Sequence, residues 1–124
     1  MTVLVDSWAW IEYIQGSEAG GVVKRYLESE EEIITSPINI SEVYLKLLKD
    51  MPADAELVID KILHYSFIAP FTVKIALAAS RLKKQKKFGM ADAIVLATAQ
   101  ANNAKVLTGD DDFKKEENVI YIGR

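Results

Sequence analysis

The chain has 124 residues, half of them hydrophobic and 27% charged, with a formal net charge of −3 and no cysteine. This balance describes one globular domain rather than a disordered chain; the missing cysteine excludes a disulfide scaffold, a thiolate-ligated metal and a thiol nucleophile. An acidic chain is not an indiscriminate polyanion binder, so any contact with nucleic acid is expected to be local.

No apolar run approaches the roughly 20 residues of a membrane span. The first residues reach an acid at position 6 without a basic and then apolar leader, so no signal peptide is expected. The expectation is a soluble, cytoplasmic protein.

In chain order, Val3-Leu4-Val5 reads as a short buried strand ended by Asp6-Ser7. Trp8, Ile11 and Tyr13 or Ile14 follow at helical spacing, and Gly16 stops that helix. A second helix carries Val23, Tyr26 and Leu27, its start weakened by Gly20-Gly21. Ile33-Ile34-Thr35 is the next strand. Ser36-Pro37 opens a helix with an apolar stripe of Ile40, Val43, Tyr44, Leu47, Leu48 and Met51, broken by Pro52. Ala55, Val58, Ile59 and Ile62 mark a further helix.

Phe67 to Pro70 reads as a third strand, and Ile75, Ala79 and Leu82 mark the helix after it. Beyond Gly89, Met90 to Asn103 is apolar nearly all round, which predicts a central helix. Lys105 to Thr108 and Val119 to Ile122 complete the set as fourth and fifth strands. Short apolar strands separated by helices predict a single α/β domain over residues 1–124, with a parallel sheet covered on both faces.

Ligands of open parallel sheets bind beyond the carboxyl ends of the strands. Asp6 follows the first strand there, Glu42 lies early in the helix after the second, Asp92 opens the central helix, and Asp110, Asp111 and Asp112 follow the fourth strand. Each acid also has a plainer reading. Asp6 suits a helix N-cap. Asn39 to Glu42 looks like a capping box, and Glu42 lies about 200° around the helix from Ile40, which suits a solvated residue. Asp110 suits an Asx turn after Thr108-Gly109. Asp92 is harder to dismiss, because it sits among Met90, Ala91, Ala93 and Ile94, and buried carboxylates need partners.

Suppose Asp6, Glu42, Asp92 and Asp110 share a pocket. Two carboxylates about 5 Å apart repel by roughly 3 kcal/mol at an effective dielectric near 20. Such a cluster takes up protons or binds a cation. All-oxygen ligands suit Mg²⁺ or Mn²⁺ rather than zinc, and the Ser7 and Thr108 hydroxyls stand beside two of the acids, where they can orient them. Such an ion is the usual apparatus of phosphoryl chemistry. The only histidine, His64, is far from the acids in sequence and reads as structural or solvated. Arg81, Lys83, Lys84, Lys86 and Lys87 carry five positive charges with no acid among them. They suit either a solvated helix C-terminus or a strip contacting the phosphates of a polyanionic substrate.

These segments resemble the PIN-domain ribonucleases of the small VapC-type toxin kind. The resemblance rests on Val3 to Glu12, Ile40 to Tyr44, Met90 to Ala99 and Leu107 to Phe113, in that order. It implies a three-layer α/β/α sandwich and Mg²⁺- or Mn²⁺-dependent endonucleolytic cleavage of RNA, transfer or ribosomal. By position, Asp6, Glu42 and Asp92 would be the metal-binding acids, Asp110 the fourth and Asp112 a further one. A homodimer and a cognate antitoxin are implied as well.

An alternative is an acidic, Mg²⁺-binding signalling module, either non-catalytic or of the phosphoacceptor type. A phosphoacceptor domain needs an acid ending its third strand, where this chain has Ala69-Pro70. A haloacid-type phosphatase needs a second aspartate two residues after the first, and Trp8 stands there.

Overall fold

The computed structural model describes residues 1–123. Its elements run β1 (Thr2–Val5), α1 (Ser7–Gln15), α2 (Glu18–Leu27), β2 (Glu32–Thr35), α3 (Pro37–Asp50), α4 (Ala55–Tyr65), β3 (Phe67–Ile68), α5 (Val73–Gln85), α6 (Met90–Ala101), β4 (Ala104–Thr108), a 3₁₀ turn (Asp111–Phe113) and β5 (Val119–Tyr121). The strands form one sheet in the order β3-β2-β1-β4-β5, and every neighbouring pair is parallel.

The strand order explains the layers. The chain steps outward from β1 to β2 to β3, then crosses back to place β4 on the far side of β1. Crossovers of one hand that move in opposite directions put their helices on opposite faces. Accordingly, Val3, Val5 and Leu107 pack with Trp10, Val23, Val43 and Ile62 from α1 to α4. Leu4 and Val106 point the other way, onto Ile75 and Ala79 of α5 and the buried run Ala93 to Ala99 of α6. The strand period of two thus serves two cores, and the result is the α/β/α sandwich.

Four local features differ from the sequence expectation. The capping box at the start of α3 is made by Ser36 and Asn39, not by Asn39 and Glu42. Pro37 has no N–H to bond and takes the first helical position, as expected, so Glu42 lies in the second turn of the helix. The start of α2 that Gly20-Gly21 were expected to weaken is capped by Ser17. A side chain at Gly20 would fall 2.2 Å from the Glu12 carbonyl oxygen, so glycine is what lets α2 close on α1. Leu48 is exposed rather than part of the buried stripe. β3 is only two residues long, because after Ala69 bonds the Thr35 carbonyl, Pro70 has no N–H to continue the ladder. Among the described residues, no helix is long and apolar enough to cross a membrane.

Candidate metal centre

The strand order reverses between β1 and β4, and the carboxyl ends of those strands are where ligands of such sheets bind. Asp6 stands at the end of β1, and Asp110 two residues past the end of β4. The topology therefore brings together acids that lie about a hundred residues apart in the chain.

Asp6 is buried, caps α1 and accepts the Ala9 N–H at 3.0 Å. The plain reading as an N-cap is correct, and it leaves the second carboxylate oxygen free of that bond. Burial raises the Asp6 pKa to about 7; the Thr108 hydroxyl and Ala9 N–H oppose the rise, and the charges of Asp110 and Glu42 add to it.

Asp92 lies in the first turn of α6 and is half-buried. Its pKa is also raised to about 7, first by desolvation, then by the charge of Asp110, the closeness of the Asp112 carboxyl and the charges of Asp112 and Glu42. Carboxylate oxygens of Asp92, Asp110 and Asp112 lie within 4.8 Å of one another. Three carboxylates gathered in this way would be able to hold a hard divalent cation.

The triple Asp110-Asp111-Asp112 sorts itself by turn geometry. Asp110 accepts the Asp112 N–H at 3.0 Å and donates its own N–H to the Thr108 hydroxyl at 3.0 Å, making the expected Asx turn. That turn presents Asp110 and Asp112 to Asp92, while Asp111 accepts the Tyr121 hydroxyl. Phe113 anchors the turn: it is buried and packs on Phe88 with ring centroids 5.8 Å apart. Gly109 is required there, because a side chain at that position would lie 2.3 Å from the Trp8 ring.

Glu42 is exposed and does not belong to the tight group of three. It reaches across to the start of α1, where the Ser7 hydroxyl donates to its Oε1 at 2.5 Å. Its charge contributes to the pKa shifts of both Asp6 and Asp92, which places it within electrostatic range of the cluster.

The basic strip divides. Lys83 donates to the Phe88 carbonyl at 3.0 Å, and Lys86 pairs with Glu116 at 2.9 Å. Lys86 and Lys87 share a cleft of about 290 Å³ with Lys114, Lys115, Asp111 and Asp112; Arg81, Lys83 and Lys84 do not line it. Lys114 and Lys115 are basic residues that the sequence reading missed. Their signal was adjacency to the acidic turn. His64 is exposed and packs edge-on to Tyr65.

The PIN domain family model matches residues 3–117. The chain belongs to the PIN domain family. Solved structures superpose on it over nearly the full length. A toxin–antitoxin complex from Klebsiella pneumoniae is 25% identical with a TM-score of 0.81, covering 95% of each chain. VapBC2 of Rickettsia felis, bound to a DNA fragment from its promoter, is 18% identical with a TM-score of 0.80, covering 100% of this chain and 99% of that one. VapC20 of Mycobacterium tuberculosis, a toxin that cleaves the sarcin–ricin loop, is 17% identical with a TM-score of 0.74, covering 90% and 92%. A search of curated proteins returns no match. This PIN domain thus offers an all-carboxylate pocket whose donors suit a hard divalent cation.

Proposed function

We propose that this chain is a VapC-type endoribonuclease that hydrolyses RNA phosphodiester bonds with Mg²⁺ or Mn²⁺, acts in the cytoplasm, forms a homodimer and is restrained by a cognate antitoxin. The observation that carries this reading is the convergence of Asp92, Asp110 and Asp112 on one point, with Asp6 and Glu42 beside it. The toxin–antitoxin complexes among the structural neighbours support the antitoxin, and the sarcin–ricin loop activity of VapC20 supports structured RNA, transfer or ribosomal, as substrate.

Asp92, Asp110 and Asp112 would hold the ion, with Asp6 and Glu42 as further ligands directly or through water. The chemistry such an ion supplies is neutralisation of charge at the scissile phosphate and acidification of an attacking water. The chain itself contributes position and charge. Asp6 is fixed by its cap bond to Ala9 and Asp110 by its turn, so neither needs to be ordered when substrate arrives. Thr108 accepts the Asp110 N–H, and its hydroxyl opposes the rise of the Asp6 pKa. Lys87, Lys114 and Lys115, with the Glu116-paired Lys86, form the wall on which flanking phosphates can lie. Exposed apolar side chains at Phe67, Phe71, Val73 and Leu77, around the β3 edge and α5, suit the homodimer.

Incubation of the protein with total RNA and Mn²⁺ or Mg²⁺, beside Asp92→Asn, tests the reading. Discrete fragments from the wild type alone are expected, and mapping their ends names the target. Absence of cleavage by the wild type, or equal cleavage by the variant, overturns it.

A further inference from the structure

Glu42 is exposed on a helix surface, and a long side chain there has rotamer freedom to lose before it can serve a pocket. The residues that order it form a continuous chain of hydrogen bonds running back into the core. We propose that Asn39 is a positioning residue: acting through the Ser7 hydroxyl, it directs Glu42 toward the acid cluster. This assignment rests on the metal-dependent nuclease reading above.

The orientation of the Asn39 amide is determined by its surroundings. Asn39 is fully buried in the first turn of α3. Its Oδ1 accepts the Ser36 N–H at 3.2 Å, as the helix cap requires, so its Nδ2 faces the other way, 3.0 Å from the Ser7 Oγ. An amide flip would set two donors against each other at Ser36. Since Nδ2 donates to Ser7, the single hydroxyl proton of Ser7 is left to point at Glu42 Oε1, 2.5 Å away.

The neighbouring hydroxyl does not offer the amide an alternative. Thr35 donates to the Val5 carbonyl at 2.7 Å and accepts the buried Trp10 indole N–H at 3.1 Å. Its one proton is thereby committed, and its 3.4 Å approach to Asn39 Oδ1 is at most a weak shared contact. The donor direction therefore runs one way, from the buried amide to the exposed carboxylate. The cap of α3 sets the amide, the amide sets the hydroxyl, and the hydroxyl sets Glu42. Groups that orient metal ligands in this manner commonly change metal affinity about 10- to 100-fold when removed.

The test uses Asn39→Asp, Ser7→Ala and the double variant of the full chain. Asn39→Asp keeps an oxygen for the Ser36 N–H, removes the Nδ2 donor, and offers Ser7 a competing acceptor. Its added negative charge alone would tighten cation binding, so a weaker Mn²⁺ affinity reports loss of order at Glu42. Calorimetry is expected to show roughly tenfold weaker Mn²⁺ binding in each single variant and no further loss in the double. In the metal-free proteins at neutral pH, the Glu42 carboxyl carbon resonance is expected to move alike in both single variants. Mn²⁺ affinity unchanged in Asn39→Asp despite a lowered melting temperature would reduce Asn39 to a helix cap and overturn the proposal. So would additive losses in the double variant, or an unmoved Glu42 resonance. A wild type that takes up no Mn²⁺ defeats the nuclease reading instead, and the Glu42 resonance still decides whether Asn39 acts on that side chain.

Discussion

Carboxylate oxygens of Asp112 and Asp92 lie within 4.8 Å of each other, while the residue before Asp112, Asp111, is tied to Tyr121 and stands outside the three-acid group. Adjacent and chemically identical side chains therefore have separable roles. Asp112→Asn is expected to weaken Mn²⁺ binding and cleavage by about tenfold or more, since it removes one ligand oxygen's charge from the pocket. Asp111→Asn is expected to leave Mn²⁺ affinity within about twofold, because an exposed charge outside the pocket is screened by solvent. Isothermal calorimetry on both variants measures the contrast, and equal losses would refute the sorting.

Asp92→Asn removes a half-buried acid that faces the charges of Asp110, Asp112 and Glu42. The metal-free variant is expected to be more stable than wild type by on the order of 1 kcal/mol, allowing for solvent screening. That corresponds to roughly 4 °C in melting temperature for a domain of this size. Cleavage of RNA is expected to fall below detection. Melting in EDTA checks the first effect, and a lowered melting temperature would mean that Asp92 packs rather than repels.

Desolvation of Asp6 and Asp92, reinforced by that repulsion, predicts a pH dependence with a definite sign. Asp6 and Asp92 have folded pKa values of about 7 against the ordinary aspartate value of 3.8. Between those limits the native state holds protons that the unfolded chain has released. The stability this confers is complete below about pH 4 and is lost as pH rises through about 7. Metal-free protein is therefore expected to unfold at a lower urea concentration at about pH 7.5 than at about pH 5. Saturating Mn²⁺, which favours the ionised acids, is expected to reverse that order. Identical midpoints in EDTA at the two pH values would contradict the raised pKa values.

The divided lysine strip makes a prediction about salt. Glutamine at Lys87, Lys114 and Lys115 is expected to flatten the dependence of log affinity on log salt, measured on single-stranded RNA in EDTA. The slope should fall by about 0.7 for each phosphate that the altered lysines no longer neutralise. Glutamine at Arg81 and Lys84, which stand outside the cleft, is expected to leave the slope nearly unchanged. The reverse result would place the RNA on the outer face of α5.

How much of this was readable in the chain follows from which forces are local. The parallel sheet was legible because Val3 to Val5, Ile33 to Thr35 and Lys105 to Thr108 are short apolar runs bounded by turn residues. The burial of Asp92 was legible because its neighbours along α6 are apolar on every side. Glu42 was ambiguous, because its partner Ser7 lies 35 residues away and no helical periodicity encodes that bond. The role of Asn39 was hidden for a similar reason: its local function as a cap is visible, and its Nδ2 partner comes from another helix. The lysine pairings with Phe88 and Glu116 likewise depend on how the loop after α5 folds back.

Gly109 links the fold to the pocket most directly. It separates Thr108, which accepts the Asp110 N–H, from Asp110, which turns Asp112 toward Asp92. A methyl group there would meet the Trp8 ring at 2.3 to 2.5 Å, against the six-membered part of the indole. Relief requires moving either the β4 turn or the indole, and overpacking of this kind costs about 1–3 kcal/mol. If the turn moves, Asp110 moves with it. Gly109→Ala is therefore expected to lower both melting temperature and Mn²⁺ affinity, whereas an ordinary surface glycine would affect neither strongly. Trimming the obstacle distinguishes geometry from backbone entropy: Trp8→Leu in the Gly109→Ala background is expected to recover a large part of the Mn²⁺ affinity. No recovery would show that the glycine matters for its backbone conformation and not for the space it leaves to Trp8.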